Sequence, residues 1–273
     1  MSNESITKTF VVAALLSIVC AIVVSLSDVS LKGLQRRNQA LDKQLNILRA
    51  AGLVESDGKV SAEESERLFS KAKTVVVDLA TGQIVPDADP DATLADKTNV
   101  VPLSKEEDLA SIKTRPQRAV VYLFYGDAEK LQSVVLPIVG TGLWSTMRGF
   151  LSLNGDLETV CRIVFYEHGE TPGLGGEISN PAWTSKWEGK SVYNASGEPV
   201  IEVVKGTVDP SNESASTQVD GISGATLTGA GVTSTVQFWL GDSGYGPFLK
   251  ELRKTSGVAS ATRDLEDEGK DAQ

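Results

Sequence analysis

The run from Thr9 to Ser27 (TFVVAALLSIVCAIVVSLS) carries no charged residue. A helix rises about 1.5 Å per residue, so this run reaches across the roughly 30 Å apolar core of a bilayer. Two readings compete, a retained single-pass anchor and a cleaved signal peptide. Lys8 is the only basic residue ahead of the run and Glu4 offsets it, while Ser25 and Ser27 make a weak small-residue cleavage site. The run therefore reads as an anchor over 9–30, behind a short tail at 1–8. Lys32, Arg36, Arg37 and Lys43 follow it, and the positive-inside rule would keep the large body in the cytoplasm, a rule that weakens for large domains after one anchor.

The rest of the chain is long enough to bury a core. Of the 273 residues, 41% are apolar and 23% charged, the balance of a folded protein. A net charge of −10 would repel a phosphate backbone, so no nucleic-acid partner is expected. Cys20 lies in the apolar run and Cys161 far from it, which leaves no disulfide framework. With His168 the single histidine, a zinc or copper site is excluded in practice and no metal site is expected.

Leu34, Leu41, Leu45 and Leu48 form one apolar stripe on a predicted helix from Leu31 to Leu53, which Gly52 would stop. A second helix is expected from Ser61 to Ala72, with Glu63 and Glu64 in its first turn. β-Branched Thr74 to Leu79 predicts a strand ending at Thr81-Gly82. The acidic stretch from Asp87 to Pro116 predicts long loops, with a short helix at Ser104 to Ser111. Strands are expected at Arg118 to Tyr125, Gln132 to Val139, Thr159 to Glu167 and Val200 to Lys205, with a turn at Gly126-Asp127. Trp183 and Trp187 stand at helical spacing and read as packing residues. Thr228 to Leu240 predicts an amphipathic helix. Gly244 to Leu249 predicts a sharp turn into a short helix ending near Arg253. The charged tail at 255–273 reads as disordered.

Three glycine-rich stretches carry the chemistry. Asp220-Gly221-Ile222-Ser223-Gly224-Ala225-Thr226 places a hydroxyl beside two very small residues, at the start of the predicted helix. Free N–H groups and partial positive charge there suit a phosphate; the alternative is a plain loop leading into a helix. Gly142-Leu143-Trp144 follows Gly140, but lacks the third glycine and βαβ setting of a dinucleotide fingerprint, so it reads as a tight turn presenting Trp144. Thr171-Pro172-Gly173-Leu174-Gly175 predicts a type II turn whose small residues let backbone lie flat against a ring. His168 reads as a hydrogen-bond donor to the edge of such a ring or as a loop residue with one structural hydrogen bond. No acid–base pair or nucleophile–base triad is present, so no catalytic residue is assigned.

Asp-x-x-Ser-Gly-Ala-Thr resembles the flavinylation motif of the FMN-binding domain family shared by the Nqr and Rnf respiratory complexes. The Glu-Thr-Pro-Gly-Leu-Gly run, the Gly-Leu-Trp turn and the Tyr-Gly-Pro-Phe-Leu finish resemble it as well. Asn38 to Leu48 resembles the helix behind the anchor on the Nqr side, with the Rnf side second. The resemblance implies an α+β fold: one transmembrane helix, a helical and loop region at 31–115 packed on the main domain, and an FMN-binding domain at 116–254 with a mostly antiparallel sheet. It implies one FMN per chain, bound through a phosphoester to Thr226. It further implies flavin contacts from Ser223, Gly224, Ala225, Thr171, Gly173, Leu174, Gly175, Trp144, Gly142, Leu143 and Asp220.

The expected role is electron carriage within a complex that couples NADH:quinone oxidoreduction to Na+ translocation, without NADH oxidation by this chain alone. Its partners would be the other subunits, and a flavin transferase using FAD and Mg2+. The resemblance implies a place in the cell inner membrane with the flavin domain on the periplasmic side, against the charge pattern behind the anchor. Two readings from other classes stand beside it. One is a flavin-free, membrane-anchored scaffold module. The other is an anchored hydrolase using Ser223 or Thr226, which lacks a base.

Overall fold

A computed structural model describes residues 6–58, 60–126 and 130–255. The expectations for 1–5, for Asp127 and for the tail from Ser256 lie outside the described residues. The chain divides into two compact units, one ending at Gln44 and the other beginning at Leu45.

In the first unit the backbone is helical from Ile6, within helix α1 (Ile6–Ala50). The expected anchor and the helix expected behind it form one continuous helix, because nothing from Ser27 to Leu31 is a helix breaker. Phe10, Leu16, Val24 and Leu26 are all exposed, and the helix is long and apolar enough to cross a membrane. The hydroxyls inside the apolar run find partners on their own helix. Ser17 Oγ donates to Ala13 O and Ser27 Oγ to Val23 O, each at 2.8 Å, so neither presents an unpaired polar group to lipid.

The second unit is built on an antiparallel sheet of β1 (Ala72–Asp78), β4 (Arg118–Tyr125), β5 (Leu131–Thr141), β6 (Thr146–Asn154) and β7 (Val160–Glu167), in that spatial order. Both faces are covered, so the strands read as near-continuous apolar runs with little alternation. On β4, Val121 and Leu123 join one core with α5 (Thr226–Leu240) and α6 (Gly246–Thr255). Val120, Tyr122 and Phe124 join the other, with Ile47, Leu48, Ala50 and Val54 and with the short helix α2 (Ala62–Phe69). Ser61 caps α2, accepting from Glu64 N at 3.2 Å. Strand β6, which follows the Gly-Leu-Trp turn, extends the sheet beyond the expected strands.

The region from Asp87 to Pro116 holds more structure than predicted, and its helix is elsewhere. Asp89 caps helix α3 (Pro90–Ala95), whose first residue is a proline. Val101–Pro102 (β2) pairs with Thr114–Arg115 (β3). Ser104 and Glu107 cap each other's N–H groups as at a helix start. No helix follows, because the Asp108 carboxylate accepts from Ile112 N at 2.8 Å and Lys113 N at 2.7 Å and turns the chain back. Toward the C-terminus, β8 (Glu202–Val203) pairs in parallel with β9 (Gln218–Val219), where an extended strand from Val200 to Lys205 was expected.

Helix α5 lies close along β5, and Gly140 makes that approach possible. A Cβ there would fall into the buried Thr235 side chain. Gly140→Ala should therefore destabilise the protein by about 1–3 kcal/mol, the range for overpacking a well-filled core. Urea unfolding in detergent, followed by tryptophan fluorescence, measures the loss.

Candidate functional site

Thr226 is the first residue of α5 and is exposed. Ala225 precedes it in the capping position and offers no side-chain acceptor, so the helix N-terminus keeps its N–H groups free of a side-chain cap. Gly224 holds φ at +71°, a left-handed conformation that glycine adopts without strain. A side chain there would also press on Leu174, since a Cβ would sit 2.9 Å from Leu174 Cδ2. The Thr226 loop and the Thr171–Gly175 turn are thus in contact. The predicted type II turn is present: Leu174 N donates to Thr171 O at 3.1 Å, with Gly173 at φ +73°.

Glu170 joins these pieces. Its side chain is 4% exposed. It accepts from Leu143 N at 3.3 Å, Trp144 N at 2.9 Å, Ser145 N at 3.2 Å and Thr228 Oγ1 at 2.7 Å. One carboxylate therefore ties the β5–β6 turn, its own loop and the first turn of α5 together. Burial raises the Glu170 pKa, and the hydrogen bonds from Thr228, Trp144, Leu143 and Ser145 outweigh that effect and hold it below the ordinary value of 4.5. Gly175 packs tightly beneath, where a Cβ would lie 2.6 Å from Thr228 Oγ1.

Of the predicted site residues, Gly142, Leu143, Trp144, Thr171, Gly173, Leu174, Gly175, Gly224, Ala225 and Thr226 fall within these linked segments, with Ser223 exposed beside them. Asp220 is engaged within the protein. Its carboxylate accepts from Val208 N and Lys186 Nζ, each at 2.8 Å, while its carbonyl accepts from Trp183 Nε1. That makes Asp220 the latch of the loop leading to Thr226. His168 makes one local bond, Nδ1 accepting from Glu170 N at 3.3 Å.

Glu170, Thr228 and Leu227 are additions to the sequence reading. The signals in the sequence were the glutamate that opens the Glu-Thr-Pro-Gly-Leu-Gly run and a second threonine two positions after Thr226. Leu227 is 63% exposed and Trp144 71%, and Leu143 and Leu174 are exposed too. Three of these four come from the segments that Glu170 gathers, and Leu227 follows Thr226 directly. Large exposed apolar side chains on segments gathered at an uncapped helix N-terminus suit a flat aromatic ring carrying a phosphate. The residues fit FMN.

Because the folded-state pKa of Glu170 lies below 4.5, this carboxylate adds stability above that pH. The contribution disappears as pH falls through the lowered value. Glu170→Gln should lose about 2–3 kcal/mol at pH 7, since an amide cannot accept from all these donors. The gap between native and variant should narrow as pH drops below 4.5, which urea unfolding at several pH values would measure.

The FMN-binding domain family matches residues 142–241, from the Gly-Leu-Trp turn to the end of α5. The chain is 45% identical over 264 residues to the C subunit of the Na(+)-translocating NADH-quinone reductase of Pseudomonas aeruginosa, covering 93% of this chain and 98% of that protein. The corresponding protein of Vibrio alginolyticus is 44% identical over 257 residues, with 92% and 97% covered. Among solved structures, NqrC from Shewanella oneidensis superposes with a TM-score of 0.69 at 35% identity, over 78% of this chain and 97% of that one. At 45% identity over nearly the whole length of both chains, the chain belongs to the NqrC family of Na(+)-translocating NADH-quinone reductase subunits.

Proposed function

We propose that this chain is the subunit of a Na+-translocating NADH:quinone reductase that carries electrons on FMN joined covalently to Thr226. The observation that supports it most is the exposed Thr226 hydroxyl at an uncapped helix N-terminus that Glu170 joins to the segment of Leu143 and Trp144, with Leu174 against Gly224. Bound FMN supplies the redox chemistry. The protein holds the phosphate at the start of α5, offers apolar side chains to the ring, and leaves one side open for a redox partner. Attachment is the work of a flavin transferase with FAD and Mg2+. The Thr226 oxygen takes the FMN phosphoryl group, the FAD pyrophosphate bond breaks, AMP leaves and the hydroxyl proton is released. The resulting diester has one negative charge, which the helix N-terminus offsets.

The chain makes no contact with NADH in this reading; it relays electrons between other subunits of the complex. It sits in the cell inner membrane with the body on the periplasmic side. Covalent attachment suits that location, since a loosely held cofactor lost there has no ready replacement.

Expression beside an active flavin transferase tests the attachment. The native polypeptide should fluoresce in a denaturing gel under ultraviolet light, and Thr226→Ala should be dark. A dark native band would support the flavin-free scaffold reading instead. For orientation, Ser196→Cys introduces a thiol in an exposed turn. A membrane-impermeant maleimide should label this variant, and not the native chain, in cells with a permeabilised outer membrane and intact inner membrane.

A further inference from the structure

A second surface lies where β4 and β5 part. Their pairing runs from Tyr122↔Val135 to Tyr125↔Leu131. Beyond it stands Pro137, which has no N–H for a ladder. Two β5 carbonyls in this stretch are taken by side chains: Tyr245 Oη donates to Pro137 O at 2.8 Å and Trp239 Nε1 to Val139 O at 2.7 Å. The opening is a cleft of about 790 Å³ with Val120, Val139 and the Trp239 and Tyr245 rings in its lining. Lys113, Arg115, Arg118 and Arg148 also line it, against a single acidic residue, Asp96. That concentration of positive charge stands out in a chain of net charge −10.

Most of these cations have no direct ion pair, although Asp78 and Glu107 act on Arg115 from a distance and Asp96 interacts with Arg118. Among the described residues only Arg148 has a carboxylate in ion-pair range, Glu167 at 3.5 Å. Arg115 Nε is buried with no hydrogen-bond partner, and burial pushes the guanidinium below its usual range. The loop bearing Lys113 is held in a strained form, with Ser111 at φ 54° and Lys113 at φ 66°. Asp108 clamps it from within. Thr141 fastens it to β5, its Oγ1 donating to Ser111 O at 2.8 Å and its N to Ala110 O at 2.9 Å. Thr141 directly precedes the Gly142–Ser145 turn, so the cleft adjoins the segment that presents Trp144.

We infer that this cleft is the docking groove for an acidic segment of a neighbouring subunit. The inference rests on the reading of this chain as one subunit of a complex. Arg118 and Arg148 stand on strands separated by β5, and the parting of β4 from β5 sets them further apart than the roughly 10 Å of two paired strand spacings. Lys113 and Arg115 add charge from the loop. Charges spread this widely match several carboxylates along an extended chain better than one small anion, and an apolar side chain of that segment can fill the floor. Docking here brings the neighbour up to the Trp144 turn, where an electron partner has to be, and complementary charge sets its register.

The test uses the purified, assembled complex. A zero-length carbodiimide joins an amine to a carboxylate only when the two touch, taking up the water that amide formation releases. The expected product is a peptide linking Lys113 to an Asp or Glu of another subunit, absent from the Lys113→Gln complex. Acetic anhydride should also modify Lys113 several-fold more slowly in the complex than in the isolated full-length chain. Equal acetylation in both overturns the inference, as does coupling of Lys113 only to an acid of its own chain, the acidic tail included. A chain that fails to co-purify with other subunits overturns both the inference and the reading beneath it. Co-purification with an open Lys113 overturns the inference alone.

Discussion

The Glu170 carboxylate receives hydrogen bonds from the backbone of Leu143, Trp144 and Ser145 and from the Thr228 hydroxyl, and the candidate site depends on that one junction. Among the described residues it forms no ion pair. Removing a carboxylate from water costs several kcal/mol. Here charge-assisted hydrogen bonds and the positive end of α5 offset the cost. The same bonds fix two irregular segments, the β5–β6 turn and the Glu170 loop, to the first turn of α5. Without the carboxylate, three backbone N–H groups in the β5–β6 turn would lose their acceptor, and Trp144 would lose its fixed place.

The sheet beneath is what lets one side chain reach so far. Apolar residues on both faces bury it between two cores, so β5 and β6 hold the Gly142–Ser145 turn at a set position. The close seat of α5 on β5, allowed by Gly140, brings Thr228 to Glu170 and leaves Thr226 in solvent. The proposed function requires the Thr226 hydroxyl to be reachable in the folded protein, with small neighbours. Gly224 and Ala225 meet that need. The same sheet opens where the β4–β5 ladder ends short of Pro137, and the cationic cleft occupies the gap.

Much of this was legible beforehand, for reasons that differ by residue. The strand at Arg118–Tyr125 and the helix reaching Leu240 follow from local pattern, because burial imposes a period on the chain. Gly173 and Gly224 were readable because a left-handed backbone demands glycine at a turn. The helix at Pro90–Ala95 was overlooked, as its few residues are mostly small and polar and its signal is a cap followed by a proline. At Ser104 the opposite happened. A helix start was present, and Asp108 redirected it by bonding two N–H groups further along, a contact that competes with helix only once the loop has folded back.

Sequence by itself determined the membrane-length apolar helix, the acidic balance, the small residues around Thr226 and the position of the helix that begins there. Each of these is a property of neighbours along the chain, where sterics and periodicity act over a few residues. Tertiary structure alone decided that Glu170 bridges Leu143 to Ser145 with Thr228, that Asp220 is a latch holding Lys186 and Val208, and that four cations share one cleft. The Glu170 and Lys186 contacts join residues tens of positions apart. Their strength comes from burial and from distances set by the sheet, and neither exists until the strands have paired.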